Sequence, residues 1–214
     1  MPRAADRIAP ILAALEAAIP EPKSALVFAN PYQLLVAVIL SAQCTDVRVN
    51  LVTPALFAKY PDARALANAA PAAVERFIDT CGLFRGKAKN LVATAKMLVD
   101  LHGGEVPWTE ADLEALPGVG RKTANVVRSN AFGADAFAVD THVGRVARRL
   151  GLTRKTAPDA VEKALCKLVA REKWSLAHHL FILHGRHTCM ARKPACERCP
   201  VASLCPRIGV RRKT

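Results

Sequence analysis

The stretch from Leu116 to Ala124 reads Leu-Pro-Gly-Val-Gly-Arg-Lys-Thr-Ala, a proline- and glycine-rich turn between two helix-forming segments. Gly118 and Gly120 leave the backbone open to close approach and accept turn conformations that other residues resist. The peptide groups of Gly118, Val119 and Gly120 thus form a backbone surface at the start of a new helix. Unpaired N–H groups at such a start suit an anion, above all a phosphate. Lys122 stands in the first turn of that helix. As an ammonium it contacts phosphate; as a free amine it is a nucleophile. Partial burial and the positive helix end, both expected here, favour the free amine. Read from these residues alone, the two uses are equally well supported.

A carboxylate partner is available downstream. Asp140, in Val139-Asp140-Thr141-His142-Val143, has a simple role as N-cap of the helix that follows. The helix after the hairpin climbs about 15 Å at ~1.5 Å per residue. The residues from Phe132 to Asp140, if extended, reach back up to about 30 Å. Asp140 can therefore return to the level of Lys122. A carboxylate there favours the charged amine, but it also accepts a proton or stabilises developing positive charge.

The third chemical signal is Cys189-x6-Cys196-x2-Cys199-x5-Cys205. Thiolates this close in sequence converge on one centre. With no secretory leader in view, disulfides are the wrong reading. Zinc held by four thiolates and an iron–sulfur cluster remain. The single Cys-x2-Cys pair favours the cluster, because many zinc sites use two such pairs. Arg192, Lys193 and Arg198 lie inside the cysteine loops, where they either face phosphates or solvate a surface. Cys44, Cys81 and Cys166 are isolated and are read as free core cysteines.

These groups need a scaffold, and nearly every periodic segment has helical spacing. Ile8, Ile11, Leu12, Leu15 and Ile19 form one apolar stripe; Leu34, Leu35, Val38 and Ile39 form another after Pro31. Helical patterns continue over 47–57, 72–80, 88–101, 110–115, 121–131, 143–150, 158–169 and 174–184. Thr109 and Asp112 resemble a capping box. Strand-like alternation is absent, so the fold class is all-α. Periodicity does not place a domain boundary.

The chain has 214 residues, enough for one large or two modest domains. Its longest apolar run, Leu34 to Leu40, falls short of the ~18–20 residues of a membrane span. The N-terminus lacks a signal-peptide apolar stretch, so a soluble cytoplasmic protein is expected. The formal net charge of +13 favours a polyanionic partner, most commonly nucleic acid. The charge is skewed: His184 to Thr214 carries eight lysines and arginines against one acid, Glu197.

Taken together, the hairpin at 116–124, the 139–142 segment, Ser41-Ala42-Gln43-Cys44-Thr45-Asp46 and the cysteine spacing resemble the endonuclease III family, in the family's order and over essentially the whole chain. The resemblance implies two helical domains, a continuous six-helix domain over 24–135 and a second built from 1–23 and 136–214, with a DNA-binding groove between them. It implies a base-excision-repair DNA glycosylase with apurinic/apyrimidinic lyase activity on double-stranded DNA containing oxidised pyrimidines or abasic sites. A nucleoid-associated monomer is expected. Lys122 would attack C1′ and Asp140 would assist. Cys189, Cys196, Cys199 and Cys205 would hold a [4Fe-4S] cluster whose role is structural ordering or redox-linked DNA binding.

The same resemblance implies that Gln43 fills the space left by a flipped nucleotide and that Leu83 is the apolar wedge opening the duplex. Arg192 and Lys193 would contact the DNA backbone. Position 81 departs from the family pattern, with cysteine where a larger aliphatic is expected. A core leucine at a helix end is the plain alternative for Leu83. Rival functions are a pyrimidine-dimer glycosylase/lyase of the same fold, a non-catalytic helix–hairpin–helix DNA-binding module and an electron-transfer iron–sulfur protein. The adenine-mismatch glycosylase of the same superfamily typically lacks the lysine.

Overall fold

A computed structural model describes residues 2–210. Arg211, Arg212 and Lys213, which belong to the basic C-terminal stretch, lie outside the described residues. Eleven α-helices and three short 3-10 turns account for the regular structure among the described residues, with no strand. The chain divides into two compact units, 24–134 and 1–23 with 135–214.

The 24–134 unit contains α1 (Pro31–Ser41), α2 (Asp46–Lys59), α3 (Ala63–Ala67), α4 (Pro71–Ile78), α5 (Phe84–His102), α6 (Glu110–Glu114) and α7 (Arg121–Phe132). Every residue from Leu34 to Leu40 is buried, so α1 is apolar all round and forms the centre of this unit. It packs against α2, α5 and α7. Its start is set by Pro31 at the first position and by Asn30, whose side chain accepts from the Gln33 amide at 2.9 Å. The short helix α3 is one that periodicity does not announce, since five residues span too little to show a repeat. Its signal is its cap: the Asp62 carboxylate accepts from the Ala65 amide at 2.8 Å.

The other unit contains the N-terminal helix Ala4–Ala18, here α0, with α8 (Thr141–Arg149), α9 (Pro158–Cys166) and α10 (Trp174–His187). Ile11, Leu15, Phe137, Val143, Leu165 and Phe181 are among its buried core. The charged Arg7 is buried there as well. Its guanidinium donates to the carbonyls of Leu150 (2.6 Å), Leu204 (2.8 Å) and Gly151 (3.2 Å), tying α0 to the end of α8 and to the cysteine loop. Burying a guanidinium is tolerable only because its donors are spent in this way. Among the described residues no helix is long and apolar enough to cross a membrane.

Candidate functional site

The hairpin is held from below by α5. The Thr94 hydroxyl donates to the Pro117 carbonyl at 2.8 Å, and Asn90 packs under Gly118. Gly118 has φ +78°, and a Cβ there would stand 2.8 Å from the Asn90 side-chain nitrogen. Both the left-handed backbone and the contact demand glycine. Gly120 differs: its φ is −101° and a Cβ would meet open space. Gly118→Ala is therefore expected to cost about 1–3 kcal/mol of stability, and Gly120→Ala well under ~1 kcal/mol, in denaturant titrations. Equal effects at the two positions would contradict this assignment.

Val119 is buried, so only its backbone is on offer. Gly120 caps α7 without any side-chain hydrogen bond, which leaves the first amides of that helix for an external acceptor. Glu110 receives both Arg121 and, at 3.0 Å, Arg128, fastening α6 to α7 on either side of the turn. Lys122 follows Arg121 at the start of α7. It is exposed, so the expected partial burial is not met. The reason is local: the second residue of α7 faces away from the packed side formed by Ala124, Val127 and their neighbours. Its ammonium has no hydrogen bond or ion pair among the described residues.

In the same unit the structure brings Gln43 and Leu83 together. Both are exposed and both adopt left-handed backbone, with φ +53° and +59°. Gly82 lies against the Gln43 carbonyl, 3.1 Å from where a Cβ would stand. Leu83 is 65% exposed, which excludes the core-leucine alternative. Left-handed backbone is uncommon outside glycine and asparagine, and such outliers concentrate where a side chain must be presented.

Asp140 begins α8. Its carboxylate accepts from the Val143 amide at 2.8 Å, leaving the other oxygen for a second partner. Residues 136–139 are buried, and the His178 ring donates to the Ala138 carbonyl at 2.7 Å, so the backbone is clamped up to Asp140.

Cys189, Cys196, Cys199 and Cys205 all line one pocket, together with His184 and Arg149. None is in a disulfide. Arg149 holds the loop open around them: its guanidinium donates to the Cys189 sulfur (3.4 Å), to the Met190 carbonyl (2.7 Å) and to the Ala191 carbonyl (2.8 Å). Arg145 adds a bond to the Cys189 carbonyl at 3.1 Å. The Arg207 amide donates to the Cys205 sulfur at 3.3 Å. Donors aimed at sulfur suit thiolates. Burial pushes the Cys199 and Cys205 thiols up, and the neighbouring cysteines add to the shift, so a bound cation is needed to hold these two as thiolates.

Four cysteines lining one pocket would suit a multi-iron cluster, each thiolate holding one iron. Arg192 and Lys193, on the outer side of this loop, are exposed.

Sequence reasoning did not single out Arg7, Arg145, Arg149 or His184. Arg145 and Arg149 had a usable signal, since their spacing of four places both on one helix face. Arg7 had none. His184 lies 3.8 Å from the Cys199 sulfur through Nε2, its Nδ1 has no partner among the described residues, and burial pushes its pKa down to about 4.

Residues 36–171 match the HhH-GPD superfamily of base excision DNA repair proteins, and residues 189–205 match the iron–sulfur binding domain of endonuclease III. The chain is 49% identical to endonuclease III of Synechocystis sp. over 94% of its length and 92% of that protein's. It is also 49% identical to that of Bacillus subtilis, over 87% and 85%. A solved structure of a trapped endonuclease III–DNA covalent intermediate superposes with a TM-score of 0.91 at 45% identity, covering 95% of this chain and 96% of that one.

Proposed function

The chain belongs to the endonuclease III family, base-excision-repair DNA glycosylases with AP lyase activity, and from that membership we propose that it removes oxidised pyrimidines from double-stranded DNA through Lys122, acting as a monomer at the nucleoid in the cytoplasm. The observation that carries the residue assignment is an exposed lysine, unpartnered among the described residues, at the start of α7 and beside a backbone surface open to phosphate.

The lesion must leave the base stack to be reached. Leu83 enters the duplex as the wedge and Gln43 occupies the vacated space, a pairing supported by their exposure on adjoining turns. The amide groups of Gly118, Val119 and Gly120 hold a phosphate near the lesion. The neutral Lys122 amine attacks C1′, the C1′–N bond breaks and the base departs with its bonding electrons. Asp140 accepts a proton and stabilises positive charge developing on the sugar. The sugar ring then opens: the Lys122 nitrogen loses a proton, the C1′–O4′ bond breaks as the C1′=N bond forms, and O4′ takes up a proton. This Schiff base acidifies C2′, and loss of that proton expels the 3′ phosphate and cuts the strand. Borohydride, which reduces the Schiff base, should trap the protein on a duplex containing an abasic site. Failure to trap any adduct overturns this chemistry.

The loop at 189–205 carries a [4Fe-4S] cluster. Cys189, Cys196, Cys199 and Cys205 are its proposed ligands, and when bound it crosslinks a loop that has little regular structure of its own. That order places Arg192 and Lys193 for phosphate contacts. With about four phosphates neutralised, duplex affinity should fall on the order of a hundredfold between ~50 and ~200 mM salt. A flat response would mean that the basic surface does not meet DNA.

A further inference from the structure

Cys44 and Cys81 were expected to be unrelated core cysteines. Cys81 is buried, but Cys44 is only half-buried, and the two thiols are close enough to act on one another. Both are free. Each borders a turn described above: Cys44 directly follows Gln43, and Cys81 precedes Gly82 and Leu83. The Cys44 and Cys81 amides are anchored to the Ser41 carbonyl (3.1 Å) and the Ile78 carbonyl (2.8 Å). The Gly82–Gln43 contact shows that the two backbones already touch.

A buried cation completes the group. Lys87 is 5% exposed, and its ammonium donates to the Leu40 carbonyl at 2.8 Å. It acts electrostatically on both sulfurs. Burial outweighs this cation at Cys81 and pushes its thiol up to about 11, so Cys81 stays protonated and the more accessible Cys44 is the sulfur open to an oxidant.

We propose that Cys44 and Cys81 are a peroxide-responsive dithiol that closes a reversible disulfide between the Gln43 turn and the Leu83 turn. The Cys44 thiolate, the more accessible of the two, attacks one oxygen of hydrogen peroxide. The O–O bond breaks, Cys44 becomes a sulfenic acid, and the departing hydroxide takes up a proton as water. The Cys81 sulfur then attacks the Cys44 sulfur. The S–O bond breaks, and hydroxide leaves with the Cys81 proton as a second water. Two thiols lose two electrons in all, and one peroxide is reduced to two waters. A reducing thiol reverses the bond.

The crosslink itself does not depend on the DNA reading. Its consequence rests on that reading: Gln43 and Leu83 must adjust together to enter a stack, and a covalent tie removes the remaining freedom. Full-length, cluster-loaded protein is treated with hydrogen peroxide, its free thiols are blocked, and its peptides are mapped without reduction. A linked Cys44–Cys81 peptide is expected, cleaved by dithiothreitol and absent from Cys44→Ser and Cys81→Ser. Affinity for a duplex carrying an abasic-site analogue should fall several-fold on oxidation and recover on reduction, while Cys44→Ser stays unresponsive. Both cysteines still alkylated after peroxide, or Cys44 over-oxidised with Cys81 free, overturns the dithiol. A crosslink with unchanged affinity overturns its coupling to DNA. Reduced protein that does not bind the duplex would instead sink the DNA reading, and the peptide map would stand apart from that result.

Discussion

Lys122→Gln is expected to abolish the borohydride-trapped adduct on abasic-site duplexes and to lower strand cleavage by at least ~10³-fold, with duplex binding retained. The size of the effect follows from the role. Without the Lys122 amine the Schiff base has no nitrogen at this position, whereas binding draws on the backbone of Gly118 to Gly120 and on many surface cations. Stability should hardly change, because Lys122 is exposed and makes no hydrogen bond or ion pair among the described residues. An undiminished adduct in this variant would remove Lys122 from the mechanism.

Asp140→Asn separates chemistry from folding at the other residue. Asparagine caps a helix about as well as aspartate, so the bond to the Val143 amide survives and stability should shift by no more than ~0.5 kcal/mol. The neutral amide neither accepts a proton nor stabilises positive charge comparably, and strand cleavage should fall by about 10²-fold. Activity equal to that of the unsubstituted protein would reduce Asp140 to its capping role.

Cys199→Ser is expected to remove the yellow-brown colour, a broad band near ~400 nm, that thiolate-held iron–sulfur clusters give. The loop from 189 to 205 should then become accessible to protease. Its regular structure is two short 3-10 turns, and Val201 is its one buried apolar residue among those described. Without the cation, burial pushes the Cys205 thiol up, and Arg149 cannot order the loop alone. Displacing Arg192 and Lys193 should weaken duplex binding roughly thirtyfold, from two contacts at about 1 kcal/mol each. Adduct formation should persist at saturating protein, since Lys122 lies in the 24–134 unit. A colourless, zinc-loaded protein with full activity and an ordered loop would refute the cluster assignment.

Much of the architecture was legible because it is written in local interactions. The apolar run at 34–40 became the buried helix α1, and the spacing over 121–131 became α7. Thr109 and Asp140 cap the helices they precede. The short helix α3 escaped because five residues have no period, although Asp62 marks its start. The cluster loop was legible from cysteine spacing, whereas of the arginines that hold it only Arg145 and Arg149 left a signal, their spacing of four. Arg7 reaches Leu150, Gly151 and Leu204 across most of the chain's length, and no local pattern encodes that.

The sequence by itself determined which groups are available for chemistry and on which helices they ride: a lysine at a helix start, a capping aspartate, four clustered thiols. These follow from residue type and from contacts within a few positions along the chain. Only the tertiary structure decided what surrounds them. It left Lys122 exposed where burial was expected, turned Leu83 outward on left-handed backbone, and set Cys44 against Cys81 over a buried Lys87. Those outcomes depend on how closely remote backbones approach, which helical periodicity does not specify because it records one element's face and not its neighbour's.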